Sequence, residues 1–293
     1  MASEGDRRRG LEVTSRRSRI LDVARTGSEG HRGVIIALIS TVVFLVLLAF
    51  AISRAPGWQE VRRAFFDWEY FKDSFPEIAR AFTLNVKIFM IAEAFILVFA
   101  LLLAVLRSLP GPVFFPLRAL AVVYADFFRG VPTILVIALL GFGAPALQLK
   151  GIPTSTTFWG IVALVLVYSA YVSEVYRAGI ESVHPSQEAA ARSLGLSRAQ
   201  TLRRVILPQA VRRVIPPLLN DFIGLQKDTA LVGTLGAVEA FQQSQIDANA
   251  TFNYTALLAA AVLFVAITIP LARFTDWLIL RDRRRRQASG TLA

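Results

Sequence analysis

The chain has 293 residues, 55% of them hydrophobic, and a mean hydropathy of +0.53; a soluble domain of that length has too little interior to hide so much apolar surface. Basic residues outnumber acidic ones by 32 to 21, giving a formal net charge of +11, and 28 of the 32 are Arg. With no Cys and only His31 and His184, a disulfide framework, a thiol nucleophile and a multi-His metal centre are all excluded.

Residues 1–32 are polar, with eight Arg and five acidic residues, and read as a basic, disordered tail. A polar stretch this long before the first apolar run does not fit a cleavable signal peptide. Residues 33–52 form an uncharged run of 20 residues, enough to span a bilayer core as a helix; the span is taken as 33–53. Residues 54–80 mix charges with Trp58, Phe65, Phe66, Trp68, Tyr70 and Phe71. Aromatic residues favour the membrane–water boundary, so an external, partly interfacial segment is expected there.

A second span is predicted over 81–106, followed by a Pro/Gly turn at 107–118. A third covers 119–147, with Pro132, Gly130, Gly141 and Gly143 as possible interruptions, and a fourth covers 158–175. The polar segment 177–213 holds seven Arg. A fifth span covers 214–235, a Gln- and Asn-rich segment without Lys or Arg covers 237–253, and a sixth span covers 254–278. Residues 281–293 close the chain with five Arg. The fold class is therefore all-α: a polytopic membrane protein of about six transmembrane helices. No internal repeat stands out.

Orientation follows the Lys/Arg bias. With an even number of spans, the N-terminal tail, the 107–118 turn, the 177–213 segment and the C-terminal tail share one side. They carry eight, two, seven and five basic residues. Both termini are therefore expected in the cytoplasm of a multi-pass cell-membrane protein, with the final Arg run as a stop-transfer anchor against membrane lipid.

The stretch 186–208 carries the most specific local signals. Ser186 is a candidate cap after Pro185, and Ala189, Ala190 and Ala191 are strong helix formers. Gly195 suits the left-handed residue beyond a helix end, Ser197 with Gln200 fits a capping box, and Pro208 marks a helix end. A DNA-binding helix-turn-helix has the same local outline. That module needs a third helix and a core of its own, and this stretch lies between two spans, so a nucleic-acid partner is not expected.

The same residues resemble the cytoplasmic loop of the membrane-spanning permease subunits of ATP-binding-cassette importers. That loop reads Glu-Ala-Ala, three residues, Gly, nine residues, an aliphatic, any residue, Leu-Pro. Here Ala190, Ala191, Gly195, Val205, Leu207 and Pro208 fit the spacing, while the Glu position falls on Ala189 and the acid stands one residue earlier, at Glu188. Tyr124, Phe128, Arg129, Gly130 and Pro132 resemble a motif of the polar amino acid branch, as do Ala170, Tyr171, Glu174, Arg177, Gly179 and Ile180. Leu207, Pro208, Gln209 and Ala210, then Pro216, Asn220 and the run from Lys227 to Leu231, follow in order. The resemblance covers about residues 80–281.

The resemblance implies a five-helix importer core over 81–280, with a coupling loop at 178–213 and the helix at 33–53 as an addition. It implies a transport subunit and not an enzyme, with an ATP-binding-cassette ATPase, an extracellular or periplasmic substrate-binding protein, a second permease subunit and an amino acid as partners. Gln187, Glu188, Ala189, Ala190, Ala191, Gly195, Leu207 and Pro208 are the coupling-loop candidates. No phosphate-binding Gly-x4-Gly-Lys loop occurs. No cofactor is therefore expected on this chain, and ATP is assigned to the partner subunit.

Charged groups inside spans are costly and usually face the bundle interior. Lys87, Glu93, Asp126, Arg129, Glu174, Asp221, Lys227 and Asp228 are of this kind, and Arg129 is a candidate partner for Glu174 or Asp126. Asp221 and Asp228 lie seven apart, on one helix face, and suit an ammonium; with Asn85 they are the substrate-path candidates. The alternative is an ion-gradient-driven secondary transporter or channel, which leaves the 186–208 stretch without a purpose.

Overall fold

The computed structural model describes residues 33–148 and 150–290, with side chains through Arg281. The tail expected at 1–32 lies outside the described residues. The chain divides into two units, Met1–Arg62 and Arg63–Ala293. The first contains helix α1 (Gly33–Arg54), 22 residues long and apolar enough to cross a membrane.

Helix α2 (Trp58–Phe65) precedes α3 (Trp68–Ser108). The latter begins well before the expected span, because Asp67 caps it: one carboxylate oxygen accepts from the backbone N–H groups of Glu69 and Tyr70, both at 3.1 Å. Ile78, Phe82, Asn85, Phe89, Ala92, Ile96, Ala100 and Leu103 are buried along it. This spacing of three and four residues puts one continuous stripe against the bundle.

The span expected over 119–147 is broken into α4 (Phe115–Gly130) and α5 (Thr133–Ala146), bent by 101°. Pro132 has no N–H to continue α4, and its carbonyl instead starts α5 by accepting from Leu135 N–H at 2.9 Å. Helix α6 (Thr156–Glu181) is central, packing against α3, α4, α5 and the later helix over Leu207–Asp228. Its small buried residues Gly160, Ala163, Ala170 and Gly179 allow those approaches.

Helix α7 (Pro185–Ser193), the short α8 (Arg198–Thr201) and a π-helical turn (Leu202–Ile206) lead into α9 (Leu207–Asp228). A 3-10 segment, Thr229–Leu235, completes the expected fifth span. Then come α10 (Ala240–Thr251) and α11 (Thr255–Gly290). Among the described residues four helices are long and apolar enough to cross a membrane, or five when α4 and α5 count as one broken span. Helix α9 falls outside that group because it carries Arg212, Arg213, Asp221, Lys227 and Asp228.

Candidate functional site

The 186–208 stretch folds as a hairpin of two short helices. His184, not Ser186, caps α7: its ring accepts from the Ser186 N–H at 3.2 Å, and its Nδ1 lies 2.8 Å from Ser186 Oγ. Pro185 then takes the first helical position, where a missing N–H costs nothing. At the other end Gly195 has φ +81°. Its N–H donates to Arg192 at 3.0 Å and the Leu196 N–H donates to Ala191 at 3.3 Å, the paired bonds of a Schellman turn. The capping box is present: Ser197 N–H donates to Gln200 Oε1 at 2.9 Å and Gln200 N–H donates to Ser197 Oγ at 3.3 Å.

Pro208 does not end the second helix. It occupies the first turn of α9, which continues to Asp228. An α-helical path would drive its ring into the Arg204 carbonyl; the π turn, in which Leu207 N–H reaches back to Leu202 O, widens the helix there. Gln209 then bridges the hairpin, donating to Val205 O at 3.0 Å and to Gln187 Oε1 at 3.4 Å. Gln187, Glu188, Ala189 and Ala190 are exposed, while Ala191 is buried. Leu207 and Pro208 are exposed, and Leu194 at the tip is 83% exposed. The hairpin thus offers a small-residue face on a locally fixed backbone.

In the interior, Asn85 is only 2% exposed, and both its amide nitrogen and its oxygen are hydrogen-bonded. Its amide donates to Thr229 Oγ1 at 3.1 Å and Glu239 Oε2 at 2.8 Å, and its oxygen accepts from Ala240 N–H at 3.1 Å. Glu239 in turn caps α10 by accepting from the N–H groups of Phe241 and Gln242. Asn85 therefore pins the end of α9 and the start of α10 to α3. Asp228, next to Thr229, accepts from the Tyr168 hydroxyl at 2.9 Å. Asp221 is part-buried, and its Oδ2 has no hydrogen-bond partner among the described residues. The two acids share the α9 face, whereas Asn85 is committed to the junction beyond it. Lys87, Asp126 and Lys227 are exposed on the isolated chain.

A second polar cluster lies where α3, α4 and α6 end. Glu174 is bonded by Arg107 and Arg177 and lies 3.8 Å from Arg129. The Arg129–Glu174 proximity follows the sequence expectation. Arg107 and Tyr168 were missed: Arg107 reads locally as a helix-end residue before a Pro/Gly turn, and Tyr168 as an aromatic inside an apolar run.

The sequence family described as binding-protein-dependent transport system inner membrane component matches residues 96–285. The chain is 36% identical over 204 residues to the probable amino-acid permease protein YxeN of Bacillus subtilis (strain 168), covering 69% of this chain and 90% of that protein. It is 32% identical over 213 residues to the probable amino-acid ABC transporter permease protein PatM of Vibrio harveyi, covering 72% and 94%. Among solved structures, an amino acid ABC transporter with histidines aligns with a TM-score of 0.66 at 28% identity, over 74% of this chain and 98% of that one. The MetNI methionine ABC transporter, in an inward-facing conformation, aligns with a TM-score of 0.56 at 18% identity, over 70% and 95%, a likeness of fold.

Proposed function

From the premise that this chain belongs to the binding-protein-dependent transport system inner membrane components, we propose that it forms the translocation path of an ATP-driven importer for polar amino acids. The observation that carries the reading is the hairpin: Gly195 at φ +81° and the Ser197–Gln200 capping box give the 186–208 stretch a fixed, exposed surface between membrane helices. Its α7 face of Gln187, Glu188, Ala189 and Ala190 docks in a groove of a separate ATPase subunit, where small side chains permit close approach. ATP binds on that subunit. Closure of the ATPase moves the hairpin and shifts the membrane helices between two states.

The remaining assignments rest on the same premise. A second permease subunit completes the path and an external binding protein delivers the amino acid. Both termini lie in the cytoplasm. Asp221 and Asp228, on one face of α9, meet the substrate ammonium, and Asn85 holds the junction that places Asp228. The names of YxeN and PatM support an amino acid as the cargo. The test is uptake of a panel of labelled amino acids by vesicles containing the assembled complex. Uptake that needs ATP and the binding protein is expected; uptake driven by an ion gradient without ATP overturns the reading.

A further inference from the structure

We propose that Glu174 is the positioning latch that links the coupling hairpin to the membrane helices: its Oε1 is held by Arg107 in this conformation and is handed to Arg129 in the alternate one. Glu174 lies on α6, and its two oxygens are used differently. Oε2 is fixed by a neighbour on the same helix, Arg177, whose Nε and terminal nitrogen donate at 3.0 and 2.8 Å. Oε1 faces other helices. Arg107, in the last turn of α3, donates to it, and Arg129, in the last turn of α4, waits 3.8 Å away.

The charge count leaves one cation over. The cluster holds three guanidinium groups, Arg107, Arg129 and Arg177, against Glu174 and Glu181, the latter taken by Arg177 at 2.5 Å. Arg129 is the one without a hydrogen-bonded carboxylate among the described residues, and its side chain is 42% exposed against 12% for Arg107. It rests 6.0 Å from the Tyr171 ring centroid, and the Tyr171 hydroxyl donates to the Arg129 carbonyl at 3.4 Å. A shift of about 1 Å brings Arg129 within hydrogen-bonding range of Oε1. One oxygen between two cations on different helices makes a two-position element, and packed interfaces switch between such positions instead of deforming continuously.

The latch is wired to the hairpin by the chain itself. Glu174 is two turns from the end of α6, and α7 begins at Pro185. Arg213 of α9 donates to the Ser182 carbonyl in the connection, so α6, α7 and α9 meet at the hairpin's base. Movement of the hairpin is therefore delivered to α6, and α6 carries the carboxylate. Helix α4, the alternate holder, leads straight into the 101° break before α5.

The test uses the chain assembled with its ATPase in lipid vesicles, with spin labels at Ser108→Cys and Ser193→Cys; the native chain contributes no Cys. Arg107→Gln should move the nucleotide-free distance toward the one that wild type shows with ATP and vanadate. Arg129→Gln should hold the nucleotide-free distance when ATP is added and cut amino acid moved per ATP by about 10-fold, the scale of ordinary coupling between states. Arg129→Lys, keeping the charge, should restore much of it. A merely structural cluster would lower the yield of both Gln variants and leave per-complex coupling unchanged. That result, or distance shifts of the same sign in both variants, overturns the proposal. The distance readout needs no identified substrate.

Discussion

At the scale of single residues, two positions turn packing and charge into measurable outcomes. Gly179 stands where α6 packs against α9, and an added Cβ there would overlap Val214 Cγ2 and lie 3.5 Å from the Ala210 carbonyl. Val is stiff at χ1 and cannot swing aside. Gly179→Ala should destabilise the bundle by about 1–3 kcal/mol, the usual cost of overpacking, read as a lower Tm in detergent, and Val214→Ala in the same chain should recover most of it. If Gly179→Ala leaves Tm unchanged, the helices are not this close. Asp228 gives the second outcome. Losing a charge-assisted bond to a substrate ammonium costs about 1.5–3 kcal/mol, or about 10–100-fold in affinity. Asp228→Asn should show that loss in uptake while basal ATPase activity, the control for assembly, is retained. Tyr168→Phe, which removes the hydroxyl 2.9 Å from the carboxylate, should have a smaller effect of the same sign. Normal transport by both Asp221→Asn and Asp228→Asn would make these acids structural. Asn85 shows why residue roles resist reading from sequence: its partners Thr229, Glu239 and Ala240 lie 144, 154 and 155 residues away, and nothing local announces them.

At the scale of elements, the hairpin was largely legible because its determinants are local. A left-handed Gly and a Ser-x-x-Gln box act over four residues, and both are present as the spacing implied. The errors at its edges were local too. His184 takes the cap instead of Ser186 because α7 starts at Pro185, two residues earlier than a Ser186 cap would place it, and the ring nitrogen reaches the Ser186 N–H. The rule that makes Pro208 a stop assumes α geometry, and the π turn over Leu202–Ile206 removes the clash on which it rests. Gly195 sets the angle between α7 and α8, and a left-handed β-branched residue costs about 1–2 kcal/mol. Gly195→Val should therefore leave the membrane helices inserted but reduce ATP-dependent uptake and retention of the ATPase on purification. Normal uptake by that variant would remove the hairpin from the coupling path. Pro132, Gly130, Gly141 and Gly143 are the interruptions that the sequence offers in the third span; the break falls beside Gly130 and Pro132, and its 101° angle has no sequence signal.

At the scale of the whole molecule, hydropathy located the apolar helices but not their full extent. Capping by Asp67 starts α3 thirteen residues before the expected 81, and α11 runs on to Gly290. Five charges keep α9 out of the apolar class, and Asp221 and Asp228 among them are part-buried, so the helix proposed for the path is not one that composition marks as a span. Orientation is the remaining global property, and it rests on the Arg distribution, since juxtamembrane Lys/Arg are retained on the cytoplasmic side. The absence of Cys makes it directly measurable, because a single introduced Cys is the only thiol in the chain. Ser193 at the end of α7 and Asn249 on α10 are both exposed. In intact cells a membrane-impermeant maleimide should label Asn249→Cys and spare Ser193→Cys, and both should react once the membrane is permeabilised. Labelling of Ser193→Cys from outside would invert the topology. It would also place the hairpin on the side without ATP, and the coupling role of residues 186–208 would fall with it.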